Sequence, residues 1–477
     1  MAYNNRIKLP LFDDYWIDFR RGTIRRWFSP EYVSTAPWGP YGSMFYDPQR
    51  KKYRLYYEDL VSKEKDSIRQ LKLCESEDMQ HFNSVLGSDG TDTIYKAGSG
   101  IHGCTVFYDK WDKNPARRYK LCGMMDVKAK DYDKKDGGRI GVEIAFSSDG
   151  INWERHPELV ASPQTSDALN KLIYNPVTEE YDLFHRAAFI DRRISVRSSK
   201  DLVHWSDART ILQPGAQYND GFTGMQHYSM TSSYMDGIFY GMLWRYNTCL
   251  YNIDYSRMFG FIEPELVYSY DGKEYVYTTG KALIERPYPP QAGCAGLAPI
   301  DMCESIDGTS YYIMCWGPVI VHDIMEKNKV FHEECEARGI NGGNPVYRIR
   351  KDGFCGIESV GKGGLIITKG MELIKDDLRF NIRSSCGFAR FGIMNIDGEF
   401  YKGFSLDDCV PFSFDDSVSV KPAWKNHDIK EVLGKQVRIA IELNTAILHC
   451  ISATARPFIK QRQCSFAHPD GILEPLQ

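Results

Sequence analysis

Long apolar runs are missing from this 477-residue chain. No stretch approaches the roughly 18 apolar residues needed to cross a bilayer as a helix, so a membrane partner is not expected. The opening MAYNNRIKLPLFDDYW carries charge early and has no apolar core of signal-peptide length. Helical periodicity is nearly absent, which excludes a helix bundle. Paired cysteine motifs are absent too. Thirteen cysteines is an odd count with no CxxC or Cys/His ligand spacing, which argues against a disulfide framework and a structural zinc site. Cys104, Cys122, Cys294, Cys303 and Cys315 fall in apolar strand patterns, where a free thiol behaves as a small hydrophobe. That usage suits a reducing compartment, and a cytoplasmic location is the expectation. An excess of one charge sign is also lacking, since the net charge is -4 with 26% charged residues. No nucleic-acid surface is therefore expected, and the basic clusters at Arg20, Arg21, Arg25 and Arg26 and at residues 128–135 read as solvated faces. No P-loop, dinucleotide fingerprint or HExxH helix is present, so neither a cofactor nor a metal is implied.

What the chain has in quantity is aromatic residues, at 13%, with 30 Tyr and 40 Gly. It also has a repeat. LCESEDMQHF (Leu73 to Phe82), AFSSDGINW (Ala145 to Trp153), VRSSKDLVHW (Val196 to Trp205) and VYSYDGKEYVY (Val267 to Tyr277) share a strand, a Ser-x-Asp turn and a following aromatic. In such a turn Asp caps exposed backbone N–H groups, Gly accepts positive φ, and the aromatic folds back onto the sheet. A hairpin of the form apolar-Asp/Asn…Tyr-x-Leu precedes each one: MFYDPQRKKYRLYYE, VFYDKWDKNPARRYKLCGM, LIYNPVTEEYDLFHR and SSYMDGIFYGMLW, with IDMCESIDGTSYYIMCW as a fifth copy. Four-stranded modules repeating every 50 to 75 residues or so are the mark of propeller blades. The expectation is an all-β chain: a five-bladed β-propeller over residues 1–343, almost free of helix, with first strands facing the axis. From Asn344 short alternating strands and Gly turns predict a C-terminal β-sandwich over residues 344–477, ending in a short strand or arm after Arg456.

LFDDYWI, SSDGINW, RYKL, RKDGF, GGLIITK and GFSLDDC resemble segments of the invertase and fructanase type of glycoside hydrolase, family 32, as found in divergent bacterial members of that group. The propeller also resembles the arabinanase and xylosidase type. The resemblance spans nearly the whole chain, through scaffold motifs. It implies a sugar pocket on the propeller axis and paired carboxylates. In the invertase type the first blade opens on Asn-Asp-Pro-Asn-Gly, whose Asp is the nucleophile. The matching APWGPYGSMFYD has no carboxylate before the strand. His102-Gly103-Cys104 stands where that family has Arg-Asp-Pro, and Ser166-Asp167-Ala168-Leu169-Asn170 stands near its acid/base Glu.

Glycosidic cleavage needs a proton donor at the leaving oxygen and a carboxylate beneath the anomeric carbon. Asp167, in the loop feeding the inner strand of blade three, is the first catalytic candidate, as proton donor. Asp220, in YNDGFTGMQHYSM before the inner strand of blade four, is the second, as nucleophile or base. Asp14 is the third, a carboxylate in the N-terminal signature that would otherwise form a salt bridge. His102, Asn170, Arg186, Gln226, His227 and Arg245 are the expected substrate-binding residues, with Arg186 and Arg245 either facing the axis or packing between blades. Glu143 and Glu265, at equivalent repeat positions, read as structural. The expected function is a glycoside hydrolase or transglycosidase acting on a small oligosaccharide, with a fructosyl or arabinosyl furanoside favoured by the resemblance. A phosphorylase on the same fold and a non-catalytic sugar-binding protein are the alternatives. The expected partner is a small carbohydrate, and a homo-oligomer is compatible with the sequence.

Overall fold

The computed structural model describes residues 5–60, 68–97, 100–125, 141–163, 166–186, 192–214, 223–249, 260–321, 329–360 and 363–457. The chain forms two compact units, Pro30–Ile349 and Met1–Ser29 together with Arg350–Gln477.

The first unit is a five-bladed propeller. Its inner strands are Gly42–Asp47, Ile101–Tyr108, Lys171–Asn175, Thr223–Tyr234 and Ala298–Glu304, each the first of an antiparallel sheet. Each touches the next around the ring, and the fifth touches the first. The Ser-x-Asp repeat does what its chemistry predicts. Oδ1 of Asp78, Asp149, Asp201 and Asp271 each accepts two backbone N–H groups, from the residues two and three positions on, at 2.8 to 2.9 Å. The residue after each Asp has positive φ: Gly150 and Gly272 in two blades, Met79 and Leu202 in the others.

The second repeat joins the blades. Asp47 caps the blade-one hairpin through Oδ1, while its Oδ2 accepts from the Tyr119 hydroxyl of blade two at 2.5 Å. Asp109 does the same in blade two and receives Tyr181 of blade three at 2.7 Å. The Tyr-x-Leu phrase is thus an inter-blade clasp: Tyr reaches the preceding blade and Leu enters the core between blades.

Blade five is completed from far upstream. Its order is Ala298–Glu304, Ser310–Trp316, Asn344–Arg350 and then Glu31–Ala36, with Asn344 opposite Ala36 and Arg348 opposite Glu31. The expected cut at 343/344 therefore moves, because Asn344–Arg350 is a blade strand. In keeping with a unit almost free of helix, there is one α-helix among the described residues, Lys329–Ala337, followed by Gly339, whose φ is +67°. Cys294 lies in a turn rather than a strand.

The second unit is a twelve-stranded, nearly closed antiparallel sheet of sandwich type. Three of its strands are N-terminal: Arg6–Pro10 along Ile447–Pro457, Ile17–Arg21 along Gly364–Thr368, and Thr23–Trp27 along Cys355–Ser359. Its core includes Ile357, Ile366, Ile441 and Leu448, with Phe380 stacked on Phe391 at 4.1 Å. The arm expected after Arg456 lies outside the described residues, apart from Pro457 at the end of the last strand.

Candidate functional site

One mouth of the propeller collects the residues at the starts of the inner strands. His102 reaches it through a β-bulge. The register between the first two strands of blade two slips between His102 and Thr105, and Gly103 sits there with φ +65°. A Cβ at Gly103 would stand 2.0 Å from the Ala168 carbonyl oxygen, so only glycine fits. The next N–H, of Cys104, is directed to Oε1 of the fully buried Glu58 at 2.6 Å.

His102 is held on both ring nitrogens. Arg69 Nη1 lies 2.9 Å from Nδ1, and Asp167 Oδ1 lies 2.8 Å from Nε2. A guanidinium only donates, so Nδ1 accepts and the ring proton sits on Nε2, pointing at Asp167. The other carboxylate oxygen of Asp167 meets Arg186 Nη2 at 2.9 Å. Glu58 Oε2 stands 3.6 Å from Arg69, completing a chain Glu58, Arg69, His102, Asp167, Arg186. Of these, Asp167 is the most open, its side chain 46% exposed. Both of its oxygens accept from donors that favour a carboxylate anion.

Aromatic rings wall the cluster. Trp244 lies between Tyr41 and Tyr228, at 6.0 and 5.8 Å and within 19° of parallel to each, and its Nε1 bonds the Pro299 carbonyl. Tyr41 meets the His102 ring edge-on at 4.9 Å. Arg186 and Arg192 both lie over Tyr228, at 4.9 and 5.2 Å. Burial raises the Tyr41 hydroxyl well above its ordinary pKa, with Tyr228 and Asp167 adding to it. Burial, and then the neighbouring Arg186, lower that of Arg192.

Of the residues singled out from sequence, the structure brings Asp167, His102 and Arg186 together. Gln226 is adjacent, accepting from Arg192 at 2.6 Å. Asn170 is fully buried and its amide bonds the backbone carbonyls of Gly103, Ser166 and Ala168, so it shapes the loop rather than meeting substrate. His227 is also fully buried, with Nε2 3.4 Å from the Tyr277 hydroxyl. Arg245 bonds the Gly280 carbonyl and Glu263 within blade four. Asp14 belongs to the other unit, where it is paired with Arg20 at 3.0 Å and with Arg25. Asp220 lies outside the described residues. Glu143 forms a two-toothed pair with Arg155 at 2.8 and 3.0 Å, whereas Glu265 is fully buried and pushed up to about 7 by burial.

Glu58, Arg69, Arg192, Tyr41 and Trp244 were not anticipated. Glu58 had a signal: a carboxylate at the end of the aromatic run YRLYYE, where a buried charge requires a partner. No group of His, Cys, Asp and Glu suited to a metal ion occurs among the described residues.

No protein-family profile matches the chain, and no curated protein matches it. Among solved structures the chain is similar to a thermostable family-43 glycoside hydrolase. The identity is 12% and the TM-score 0.43, over 67% of this chain and 92% of that one. It is also similar to the endo-arabinase of Bacteroides thetaiotaomicron, with 14% identity and a TM-score of 0.40 over 62% and 95%. A third is a structure from the GH130 family of mannoside phosphorylases, which contains glycoside hydrolases that target β-1,2-mannosidic linkages in Candida mannan. There the identity is 10% and the TM-score 0.41, over 73% and 94%.

Proposed function

We propose that the mouth around Asp167 is the active site of a glycoside hydrolase or transglycosidase acting on a small oligosaccharide. The observation that carries the reading is a half-exposed carboxylate clamped by His102 and Arg186 inside a wall of stacked aromatics. The stacked aromatics are buried and hold the partners of Asp167 in place, and the anion supplies the base or nucleophile that glycosidic cleavage needs, in place of the expected proton donor. Furanosides are the favoured class through the motif resemblance. Asp220 is the candidate for the proton donor, being the remaining sequence-derived carboxylate of the propeller. The described free cysteines and the lack, among described residues, of a helix long and apolar enough to cross a membrane fit a cytoplasmic location for this reading.

A second reading has one specific observation in its favour. Three guanidiniums, Arg69, Arg186 and Arg192, gather in the site with Glu58 and Asp167. Such a concentration of guanidiniums suits an anionic co-substrate such as inorganic phosphate, and hence phosphorolysis. Release of reducing sugar from fructosyl and arabinosyl oligosaccharides, with and without phosphate, tests both. Turnover without phosphate supports hydrolysis, and turnover that requires phosphate supports phosphorolysis. Binding without turnover in either condition removes both.

A further inference from the structure

The inner strands have two ends. Their last residues, just before the hairpin turns, line a cavity of about 470 Å3 whose lining includes neither His102 nor Asp167. This volume falls within the ~300–1,000 Å3 range of small-molecule pockets. It contains a buried ion pair, Lys171 of blade three with Asp301 of blade five at 2.5 Å. Asp301 also accepts from the backbone N–H groups of Met44 and Met302, at 3.1 and 2.9 Å, and from Thr231 at 3.4 Å. Four blades are thereby tied at this level.

The walls are aromatic. Phe45 stacks on Tyr108 at 6.0 Å, and Trp111 lies 5.2 Å from Tyr174. All four line the cavity, together with Ser232 and Ser233. Lys110 and Glu304 add one charge of each sign to the lining, so its charges balance as those of the ion pair do.

We propose that this cavity is a second, non-catalytic binding site for a neutral sugar, either a monosaccharide or the terminal unit of an oligosaccharide. Lys171 has N–H donors beyond the one given to Asp301, Glu304 brings an acceptor to the lining, and a sugar hydroxyl both donates and accepts. An anion would meet the Asp301 carboxylate, and an apolar ligand would strand the polar groups without partners. The aromatic faces match the apolar face of a sugar ring. Asp301, already taken by four donors, is not placed to act as an acid or base.

The test uses the full chain carrying Asp167→Asn, so that turnover at the other mouth does not consume ligand. Glucose, galactose, mannose, arabinose and fructose are titrated by calorimetry and saturation-transfer NMR, with inorganic phosphate and indole as controls. At least one sugar is expected to bind, and adding Trp111→Ala, at a half-buried position, should weaken that binding about 10-fold. Ser233→Ala, which removes a hydroxyl with little loss of volume, should weaken it by a smaller factor. Melting curves show whether either variant is folded, and in an otherwise wild-type chain both should keep kcat/KM. Three results would each overturn the proposal: no sugar of the panel binding at tens of millimolar, binding indifferent to both folded variants, or phosphate or indole displacing sugar at this site.

Discussion

Arg69 donates to Nδ1 of His102 across 2.9 Å, which leaves the ring proton on Nε2, facing Asp167. Arg69 acts through His102 and is a positioning residue. Arg69→Leu should release Nδ1, allow both neutral tautomers and lower kcat by roughly 10- to 100-fold, the usual effect of losing an orienting partner. KM should change little. Nitrogen-15 NMR of the imidazole should show a single Nε2–H form in the parent protein and a mixture in the variant. A single tautomer in both would remove the role.

Asp167→Asn should reduce kcat by roughly 10²- to 10⁴-fold. With Asp167 proposed as base or nucleophile, activated aryl glycosides should not restore the rate. Asp220→Asn should be restored by them if Asp220 is the donor, because a good leaving group needs little protonation. Rescue of Asp167→Asn instead would return the donor role to Asp167.

Tyr119→Phe removes the hydroxyl that joins blade two to Asp47 of blade one. Hydrogen bonds to charged groups contribute about 1.5–3 kcal/mol, and among the described residues Asp47 keeps Arg54, at 3.3 Å, as its cation. Urea unfolding should show a loss of about 2 kcal/mol. An unchanged midpoint would mean that the seam is held by packing alone.

His185 is 2% exposed, and neither ring nitrogen has a hydrogen-bond partner among the described residues. Burial, with Arg197 nearby, pushes its pKa down to about 4. An unfolded histidine titrates near 6.5. Between about pH 6.5 and 4 the unfolded chain therefore binds a proton that the folded chain refuses, and stability falls as pH falls through that window. His185→Leu abolishes the difference. Its melting temperature relative to the parent should rise more at pH 5 than at pH 7.5, and an equal change at both would contradict the assignment.

The blades were legible because their signals are local. Ser147 to Trp153 encodes its own turn, and Asp109 announces a hairpin whose returning strand opens on Tyr119. What Tyr119 reaches was not legible, since its partner Asp47 lies 72 residues upstream and is chosen by the ring. The same limit governs the site. His102 and Asp167 stand beside recognisable strand starts, but Glu58 and Arg69 sit on outer strands and become relevant only through the bulge at Gly103. Asn170 and His227 misled because a polar residue at a strand start serves a loop backbone or a blade interior as readily as a ligand. The strands at Arg6–Pro10, Ile17–Arg21 and Thr23–Trp27 precede the propeller in sequence, and nothing local in them specifies pairing with strands more than 300 residues away.

The closing strand of blade five sets a schedule for synthesis. Glu31 pairs with Arg348, which is translated more than 300 residues later. At ~5–20 residues per second, Glu31–Ala36 emerges from the ribosome at least ~15–60 s before its partner exists. Throughout that interval the nascent chain carries a strand without its native neighbour, a template for mispairing with other chains. The ring therefore cannot close while the chain is short, and the residues that gather around Asp167 from blades one to four acquire their fixed spacing only when the fifth blade arrives.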